Sequence, residues 1–335
     1  MVNPKSSLND RCGALVLVYD HKGERIYHGV MFGSPGAVVG YGKSRIATVE
    51  EAAVVLIKSN VKRSRESRVL ARRDFIMDCA ALCAGGLVLP SWVPMQTLPP
   101  SAGPASSELI EDLVAANRVL ASENVVDAYG HVSARHDRNP NRYLISRSLA
   151  PELVTAEDIM EFDLDSRPVD ARGRAPLAER FIHGEIYKAR PDVKAVVHNH
   201  SPALIAFGIS NVPLRPVYHM SSFIAEGVPV FEIRNAGVPA PNMLIQTGEL
   251  GRALGKILGS HPAALMRGHG AVVVGPSVPD TVSRAVYLQV NAQVQSQAQA
   301  MAPGGNITYL NAEEAAGGQI YARAWELWKR KALGK

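Results

Sequence analysis

The chain has little cysteine, few aromatic residues and no long apolar run, and each shortage excludes a class of protein. Only three of its 335 residues are cysteines, Cys12, Cys79 and Cys83. Because all three precede residue 84, no disulfide framework or cysteine-ligated metal site is expected in the rest of the chain. Aromatic residues make up 6% and are not interleaved with the basic residues, so the net charge of +5 does not predict nucleic-acid binding. No apolar run reaches the roughly 18 residues of a membrane span, so no membrane anchor is expected in the mature protein.

The first third of the chain is organised differently from the rest. Residues 1–71 form an N-terminal extension, in which "ALVLVYDHKGERIYHGVMF" predicts two strands joined by a turn. Residues 72–105 begin with Arg72 and Arg73 and continue with an apolar segment, prolines and small residues. This order resembles a twin-arginine export signal with a processing site that ends at Ala105. Two interpretations remain: the true start lies after the recorded one, or the segment is a linker. The first predicts a periplasmic protein and the second a cytoplasmic one.

Helical and strand patterns alternate from residue 106 to residue 303. A helix is predicted over Ser107–Ser122, and a second from about Leu177 to the residue before Pro191. Later helices are predicted over 247–258 and 279–300. The predicted strands are "HVSARH", "RYLIS", "KAVVHNH", "PVFEI", "AALMR" and "AVVVG". These patterns indicate one α/β catalytic domain, followed by a C-terminal helical tail over residues 304–335.

Two histidines stand one residue apart at the end of the strand "KAVVHNH". Because residues i and i+2 of a strand share a face, the rings of His198 and His200 would project together. Converging neutral imidazoles are common ligands of divalent transition metals, although two partly exposed histidines at a strand end would give the same pattern. His269 lies between glycines in "MRGHGAVVVG", where the backbone can approach a ligand closely. Glu179 precedes the strand and shares a helix face with His183. The sequence therefore favours a metal site with a nearby carboxylate.

Two loops upstream supply hydrogen-bond donors suited to an anionic group. They are "YGHVSAR" and "ISRSLAP", and an Arg–carboxylate pair is a strong geometric clamp. A third segment, "RPVYHM", follows an extended stretch. The candidate substrate-binding residues are His131, Ser133, Ser146, Arg147, Ser148 and Tyr218, and His219 is a candidate proton donor.

The spacing from Glu179 through "RPD" to His-x-His, and on to Gly-His-Gly, resembles that of the class II aldolase/adducin family over residues 107–302. The resemblance implies a three-layer α/β/α sandwich with a mostly antiparallel central sheet. It implies one divalent metal ion per subunit (zinc, manganese, iron or cobalt), bound by His198, His200 and His269. Glu179 matches the family's acid/base residue. The resemblance also implies a homotetramer with active sites at the subunit interfaces.

Departures from the sugar-phosphate members point to one branch of the family. Those members have an asparagine where this chain has His131, and the aldolases have a tyrosine where it has Met220. The motifs look more like those of hydroxypyridine-dicarboxylate, dihydroxyphthalate and carboxymuconic-semialdehyde decarboxylases. The resemblance thus implies a metal-dependent lyase that decarboxylates a hydroxylated aromatic or ring-derived acid through a metal-stabilised enolate, with Glu179 or His219 returning the proton. The alternatives are an aldolase or epimerase acting on a sugar phosphate, and a non-catalytic adducin-like domain.

Overall fold

The computed structural model describes residues 13–19, 25–32, 99–317 and 321–335. The chain divides into two compact units, residues 1–92 and 93–335. In the first unit, strands β1 (Gly13–Tyr19) and β2 (Arg25–Phe32) pair antiparallel, as the strand-turn-strand pattern predicts. The paired arginines and the apolar part of the export-like segment lie outside the described residues.

The second unit is built on a seven-stranded sheet. Its strands in chain order are β3 (His131–Arg135), β4 (Arg142–Ser146), β5 (Ile159–Asp163), β6 (Ala195–Asn199), β7 (Val230–Phe231), β8 (Ala263–Met266) and β9 (Gly270–Gly275). Their spatial order is β5-β4-β3-β6-β9-β8-β7, and every neighbouring pair is antiparallel except β7 with β8. The predicted mostly antiparallel sheet is confirmed.

Helices cover both faces of this sheet. They are α1 (Ser107–Ser122), α2 (Phe181–Ala189), α3 (Pro202–Gly208), α4 (Gly248–Leu258), α5 (Val278–Met301), α6 (Ala312–Ala316) and α7 (Ala322–Leu333). Helices α1, α3, α5 and α7 contribute to one apolar core, whereas α2 and α4 contribute to the other. In β6, Val197 faces the first core and Val196 the second. A strand covered on both sides is apolar at successive positions, which explains the run "AVV" before His198. The predicted three-layer α/β/α sandwich is confirmed.

The stretch just before α1 is bound to the edge of the sheet. The Glu161 carboxylate on β5 accepts hydrogen bonds from the Ser101 hydroxyl at 2.6 Å and the Ala102 N–H at 2.8 Å. The Arg142 guanidinium donates to the Pro100 carbonyl. The predicted boundary between residues 105 and 106 lies directly beyond this bound stretch.

The C-terminal helix packs on the catalytic unit. Trp325 of α7 is buried in the core that α1 and α5 share, and Trp328 packs against its edge. Lys329 donates to the Asp112 carboxylate at 2.6 Å, which ties α7 to α1. Among the described helices, none is both long enough and apolar enough to cross a bilayer.

Candidate metal and active site

Three imidazoles and one carboxylate converge at the end of β6. The Nε2 atom of His200 lies 3.0 Å from that of His198 and 3.1 Å from that of His269. The Oε2 atom of Glu179 lies 3.5 Å from His198 Nε2 and 3.4 Å from His269 Nε2. One atom from each of the four side chains lies within 4.8 Å of all the others. The residues proposed from sequence as metal ligands are therefore brought together with the proposed acid/base residue.

Strand pairing brings His269 to the other two histidines. Strands β6 and β9 pair with Asn199 opposite Ala271, so the chain that enters β9 passes directly beside the end of β6. A side chain at Gly270 would place its Cβ 1.9 Å from the Asn199 carbonyl oxygen, and Gly268 has a left-handed φ of +65°. The approach at Gly270 is possible only without a side chain, and the left-handed conformation at Gly268 favours glycine. The Gly-His-Gly sequence is thus what allows His269 to reach the cluster.

The protonation of His198 makes the cluster suited to a cation. Its Nδ1 atom lies 3.1 Å from the Ala271 carbonyl oxygen. Because a carbonyl oxygen only accepts hydrogen bonds, the ring proton of neutral His198 resides on Nδ1, and Nε2 directs a lone pair into the cluster. Two nitrogens bound to one zinc ion at about 2.0–2.1 Å would lie roughly 3.3 Å apart, close to the observed separations. The donor set of imidazoles and a carboxylate is also one that divalent transition metals accept. The residues present fit the metal that the resemblance implies.

Glu179 is held at the cluster by the backbone of a neighbouring segment. It lies in a 3₁₀ turn, Ala178–Arg180, just before α2, and is 7% exposed. Its Oε1 atom accepts a hydrogen bond of 2.8 Å from the Ile245 N–H. Burial alone would raise the pKa of Glu179, whereas the adjacent His198 and His269, in their protonated forms, outweigh burial and hold the pKa well below its usual range. The carboxylate is therefore ionised at neutral pH.

A second set of polar side chains leads away from the cluster between β3 and α2. His131 Nδ1 lies 2.7 Å from His183 Nε2, and His183 Nδ1 lies 2.6 Å from the Ser133 hydroxyl. That hydroxyl lies 2.8 Å from the Tyr187 hydroxyl. Burial is the main cause that lowers the pKa of His183 to about 3 and holds that of His131 well below its usual value. Both rings are therefore neutral at neutral pH.

The other candidate binding residues from the upstream loops occupy different surroundings. Ser133 is fully buried and bonded on both sides, so its hydroxyl is directed at neighbouring side chains. Ser146 ends β4 and is almost fully buried, and the Ser148 N–H donates to the Ala175 carbonyl. Arg147 forms an ion pair of 2.6 Å with Asp158 through Nε. In the part of the chain that the structure describes, no hydrogen bond joins these four residues to the metal cluster directly.

Tyr218 and His219 lie on another part of the same subunit. His219 is exposed and begins a 3₁₀ turn, His219–Ile224. The Tyr218 ring contacts the ring of Tyr287 on α5, with centroids 6.0 Å apart. Across residues 99–317 and 321–335, no hydrogen bond or ring contact joins either residue to the cluster. A single subunit therefore does not bring His219 to the metal ligands.

Tyr129 is an additional residue at the site that the sequence reasoning did not select. Its side chain is 69% exposed, and its ring centroid lies 6.4 Å from that of His200. The Asp127 carboxylate accepts a hydrogen bond from the Tyr129 N–H, which supports the loop. Its position directly before Gly130-His131 is the signal that could have identified it. A cavity of about 510 Å³ also borders His200 and is lined in part by Asp127 and Gln289.

Comparison with known proteins gives consistent matches over the second unit. The family model described as the class II aldolase and adducin N-terminal domain matches residues 111–296. The decarboxylase tropJ of Talaromyces stipitatus is 32% identical over 247 residues, which cover 66% of this chain and 93% of that protein. A 3,4-dihydroxyphthalate decarboxylase of Arthrobacter keyseri is 29% identical, covering 56% of this chain and 77% of its own length. The crystal structure of an aldolase II superfamily protein from Pseudomonas syringae superposes with a TM-score of 0.58 at 26% identity, covering 69% of this chain and 94% of that one.

Proposed function

This chain belongs to the class II aldolase and adducin family, and we propose that it is a metal-dependent carboxy-lyase. Its substrate would be a hydroxylated aromatic or ring-derived carboxylic acid. The observation that carries the proposal is the convergence of three imidazole nitrogens and the Glu179 carboxylate at one point. Two decarboxylases among its relatives support the choice of reaction.

His198, His200 and His269 would hold one divalent metal ion per subunit, with zinc, manganese, iron and cobalt all compatible with the donor set. A metal bound there would act as a Lewis acid that stabilises negative charge on a substrate oxygen while a C–C bond breaks. Support comes from the lone pair that the Ala271 carbonyl imposes on His198 Nε2.

Glu179 would carry the proton through the reaction. As an ionised carboxylate it accepts the proton of a substrate hydroxyl when the substrate binds. The C–C bond to the carboxylate then breaks, CO₂ leaves, and the electron pair remains with the ring carbon. Glu179 returns its proton to that carbon, so atoms and charge balance. His219 is an alternative donor only if a neighbouring subunit supplies it.

Binding of the substrate would use the residues around the cluster. The two Nη atoms of Arg147 have no hydrogen-bond partner among the described residues, since only Nε contacts Asp158. They would clamp a second carboxylate, with Ser146 and Ser148 beside them. His131 would line the site, and Tyr218 would do so from an adjacent subunit. The proposed homotetramer with interface sites rests on the family resemblance, and the exposed His219 would be available to a neighbouring subunit.

The proposed domain limits follow the sequence analysis: an extension to residue 71, a signal-like segment or linker over 72–105, the catalytic domain over 106–303 and a helical tail over 304–335. The segment over 72–105 would direct the protein to the periplasm if it is a working signal, and otherwise the protein would remain cytoplasmic. Sequencing the N-terminus of the protein purified from its native host tests both statements.

The decisive assay is a panel of hydroxylated aromatic dicarboxylates, supplied with zinc, manganese, iron or cobalt and screened for CO₂. We expect CO₂ release that stops on chelation and returns when the metal is restored. His198→Ala should lose both bound metal and turnover, whereas Lys256→Ala, on exposed α4 surface, should lose neither. Cleavage of sugar phosphates without CO₂ release would replace the proposal with an aldolase. A purified protein that binds no metal would favour a non-catalytic adducin-like domain.

A further inference from the structure

One face of β3 and one face of α2 meet in an unusual polar layer. His131, Ser133 and Arg135 alternate along β3 and so lie on one side of the sheet. Glu179, His183 and Tyr187 recur every four residues along the facing 3₁₀ turn and α2. Two residues of strand advance about 6.6 Å. Four residues of helix advance about 6.0 Å. The two series therefore stay in step, and each strand residue meets a helix residue.

Every polar atom in this layer except one has a partner. Arg135 closes the inner end by donating to the Tyr187 carbonyl at 2.8 Å and placing its guanidinium 4.6 Å from the Tyr187 ring centroid. Ser133, His183 and Tyr187 are buried and joined by the contacts given above. His131 Nε2 alone has no hydrogen-bond partner among the described residues. That atom is also not enclosed, in contrast to the buried unpaired His269 Nδ1.

The two hydroxyl groups determine the direction in which protons run along the chain. If Tyr187 donates to Ser133, then Ser133 donates to His183 Nδ1, and His183 donates from Nε2 to His131 Nδ1. Every proton has an acceptor in that arrangement. In the reverse arrangement the Tyr187 hydroxyl proton points at no acceptor, because Ser133 is its sole hydrogen-bond partner in the described chain. A buried donor without a partner is disfavoured, so the protons run outward, towards His131.

The outer end of the chain faces the candidate site. His131 stands opposite His198 in the pairing of β3 with β6, and the two ring centroids lie 5.1 Å apart. His131 is 5% exposed. Its unpartnered Nε2 atom is therefore positioned beside the cluster and open to a bound molecule.

We propose that His131 carries its single proton on Nε2 and donates it, as a hydrogen bond, to an oxygen of the substrate. Ser133, His183 and Tyr187 act as positioning residues that impose this tautomer. The identity of the acceptor, an oxygen that gains negative charge as CO₂ leaves, rests on the proposed carboxy-lyase function. The tautomer of His131 does not depend on that function.

The tautomer can be measured without any substrate. ¹⁵N-histidine labelling of the zinc-loaded protein, followed by two-dimensional NMR, distinguishes protonated from unprotonated ring nitrogens. His131→Gln and His183→Gln assign the two rings by loss of their signals. We expect Nε2 to be protonated and Nδ1 unprotonated in both rings. A proton on Nδ1 of His131 in the wild-type spectrum would overturn the inference, whether or not any variant folds.

Three variants separate positioning from simple packing. Ser133→Ala removes the hydroxyl that orients His183, so His131 should become a mixture of tautomers. The kcat of this variant, relative to wild type, should equal the fraction of His131 that still carries its proton on Nε2. Ser133→Thr keeps a hydroxyl and should restore both values. Tyr187→Phe should keep the Nε2 proton, since the Ser133 hydroxyl still has only His183 as acceptor. A fall of kcat in Ser133→Ala with an unchanged spectrum would contradict the positioning role.

His131 itself is tested by removing its donor. His131→Leu should lower kcat about 10²- to 10³-fold, as loss of one donor to a developing oxyanion does, with bound zinc unchanged. His131→Gln, whose amide N–H₂ reaches about as far as Nε2, should recover part of the loss. Full activity of His131→Leu would overturn the catalytic part. If His131 carries its proton on Nε2 but the protein releases CO₂ from none of the substrates tested, the proposed function would be refuted and the tautomer would stand.

Discussion

Replacement of Glu179 by glutamine tests whether this carboxylate moves a proton or only helps to hold the metal. Glutamine has nearly the same shape, so its amide oxygen can keep the 2.8 Å hydrogen bond from the Ile245 N–H. Its amide N–H₂ would take the place of Oε2, which lies 3.4–3.5 Å from the Nε2 atoms of His269 and His198. Three imidazoles remain as ligands, so we expect metal content to be retained. The proton carrier, however, is gone.

The expected loss follows from the usual contribution of a positioned acid or base, about 10²- to 10⁴-fold in rate. At about 1.36 kcal/mol per tenfold change, this raises the barrier by about 2.7–5.4 kcal/mol. The assay is the initial rate of CO₂ release at saturating substrate, with metal measured on the same samples by mass spectrometry. Wild-type turnover by Glu179→Gln at equal metal content would refute the role.

Glu185, on the adjoining helix α2, provides the matched control. It is also a buried glutamate, 4% exposed, but its carboxylate pairs with Lys188 at 2.7 Å and Arg252 at 3.4 Å. Glu185→Gln should therefore lower the free energy of unfolding, by about 1–3 kcal/mol for weakened charged hydrogen bonds, without changing kcat. If both variants lost turnover equally, the loss of a buried negative charge would explain the effect better than proton transfer.

Three further predictions follow from the packing around the site. Gly270→Ala should lower the free energy of unfolding by about 3 kcal/mol or more and reduce bound metal, because its Cβ would lie 1.9 Å from the Asn199 carbonyl oxygen. Thermal unfolding measures the loss of stability, and metal analysis measures the loss of bound metal. Tyr129→Ala should raise KM for an aromatic substrate about two- to tenfold through loss of ring stacking, with Tyr129→Phe close to wild type in steady-state kinetics. Leu254→Ala, at a fully buried position of α4, should cost about 2–5 kcal/mol in urea unfolding and leave metal content unchanged at low denaturant.

Much of the fold could be predicted because local signals and tertiary packing agree. The bounds predicted for α1 are those observed, since Ser106 caps the helix by accepting from the Leu109 N–H. Strand β7 differs: "PVFEI" predicts five residues, but only Val230 and Phe231 form the strand. The Glu232 side chain accepts a hydrogen bond from the Arg234 N–H and begins a 3₁₀ turn, which ends the strand early. Such competition from a side chain is difficult to foresee in an apolar run.

The candidate site was predictable where its geometry is local. The two-residue repeat of a strand predicts that His198 and His200 lie close together, and they do, although β6 ends at Asn199 and His200 lies just beyond it. The contact of His269 with them depends on the pairing of β6 with β9, and the spacing indicated it only through the family resemblance. Ser133 illustrates the limit: in sequence it is a donor in a short motif, whereas the fold buries it beneath His183. His131 and Ser133 lie on one face of β3, and only tertiary packing determines which of them reaches the site.

The polar layer between β3 and α2 also bears on why the site lies where it does. An apolar layer of the same volume would usually be as stable or more stable, because hydrogen bonds between buried groups add little net free energy. What the polar layer provides is a fixed direction for each proton, from the Tyr187 hydroxyl to His131 Nε2. His183 and Tyr187 share one face of α2, and Glu179 lies four residues before His183 in the 3₁₀ turn that leads directly into that helix. A shift of α2 along β3 would therefore displace the Glu179 carboxylate and the His131 imidazole together. The geometry of the site thus depends on how this one helix packs.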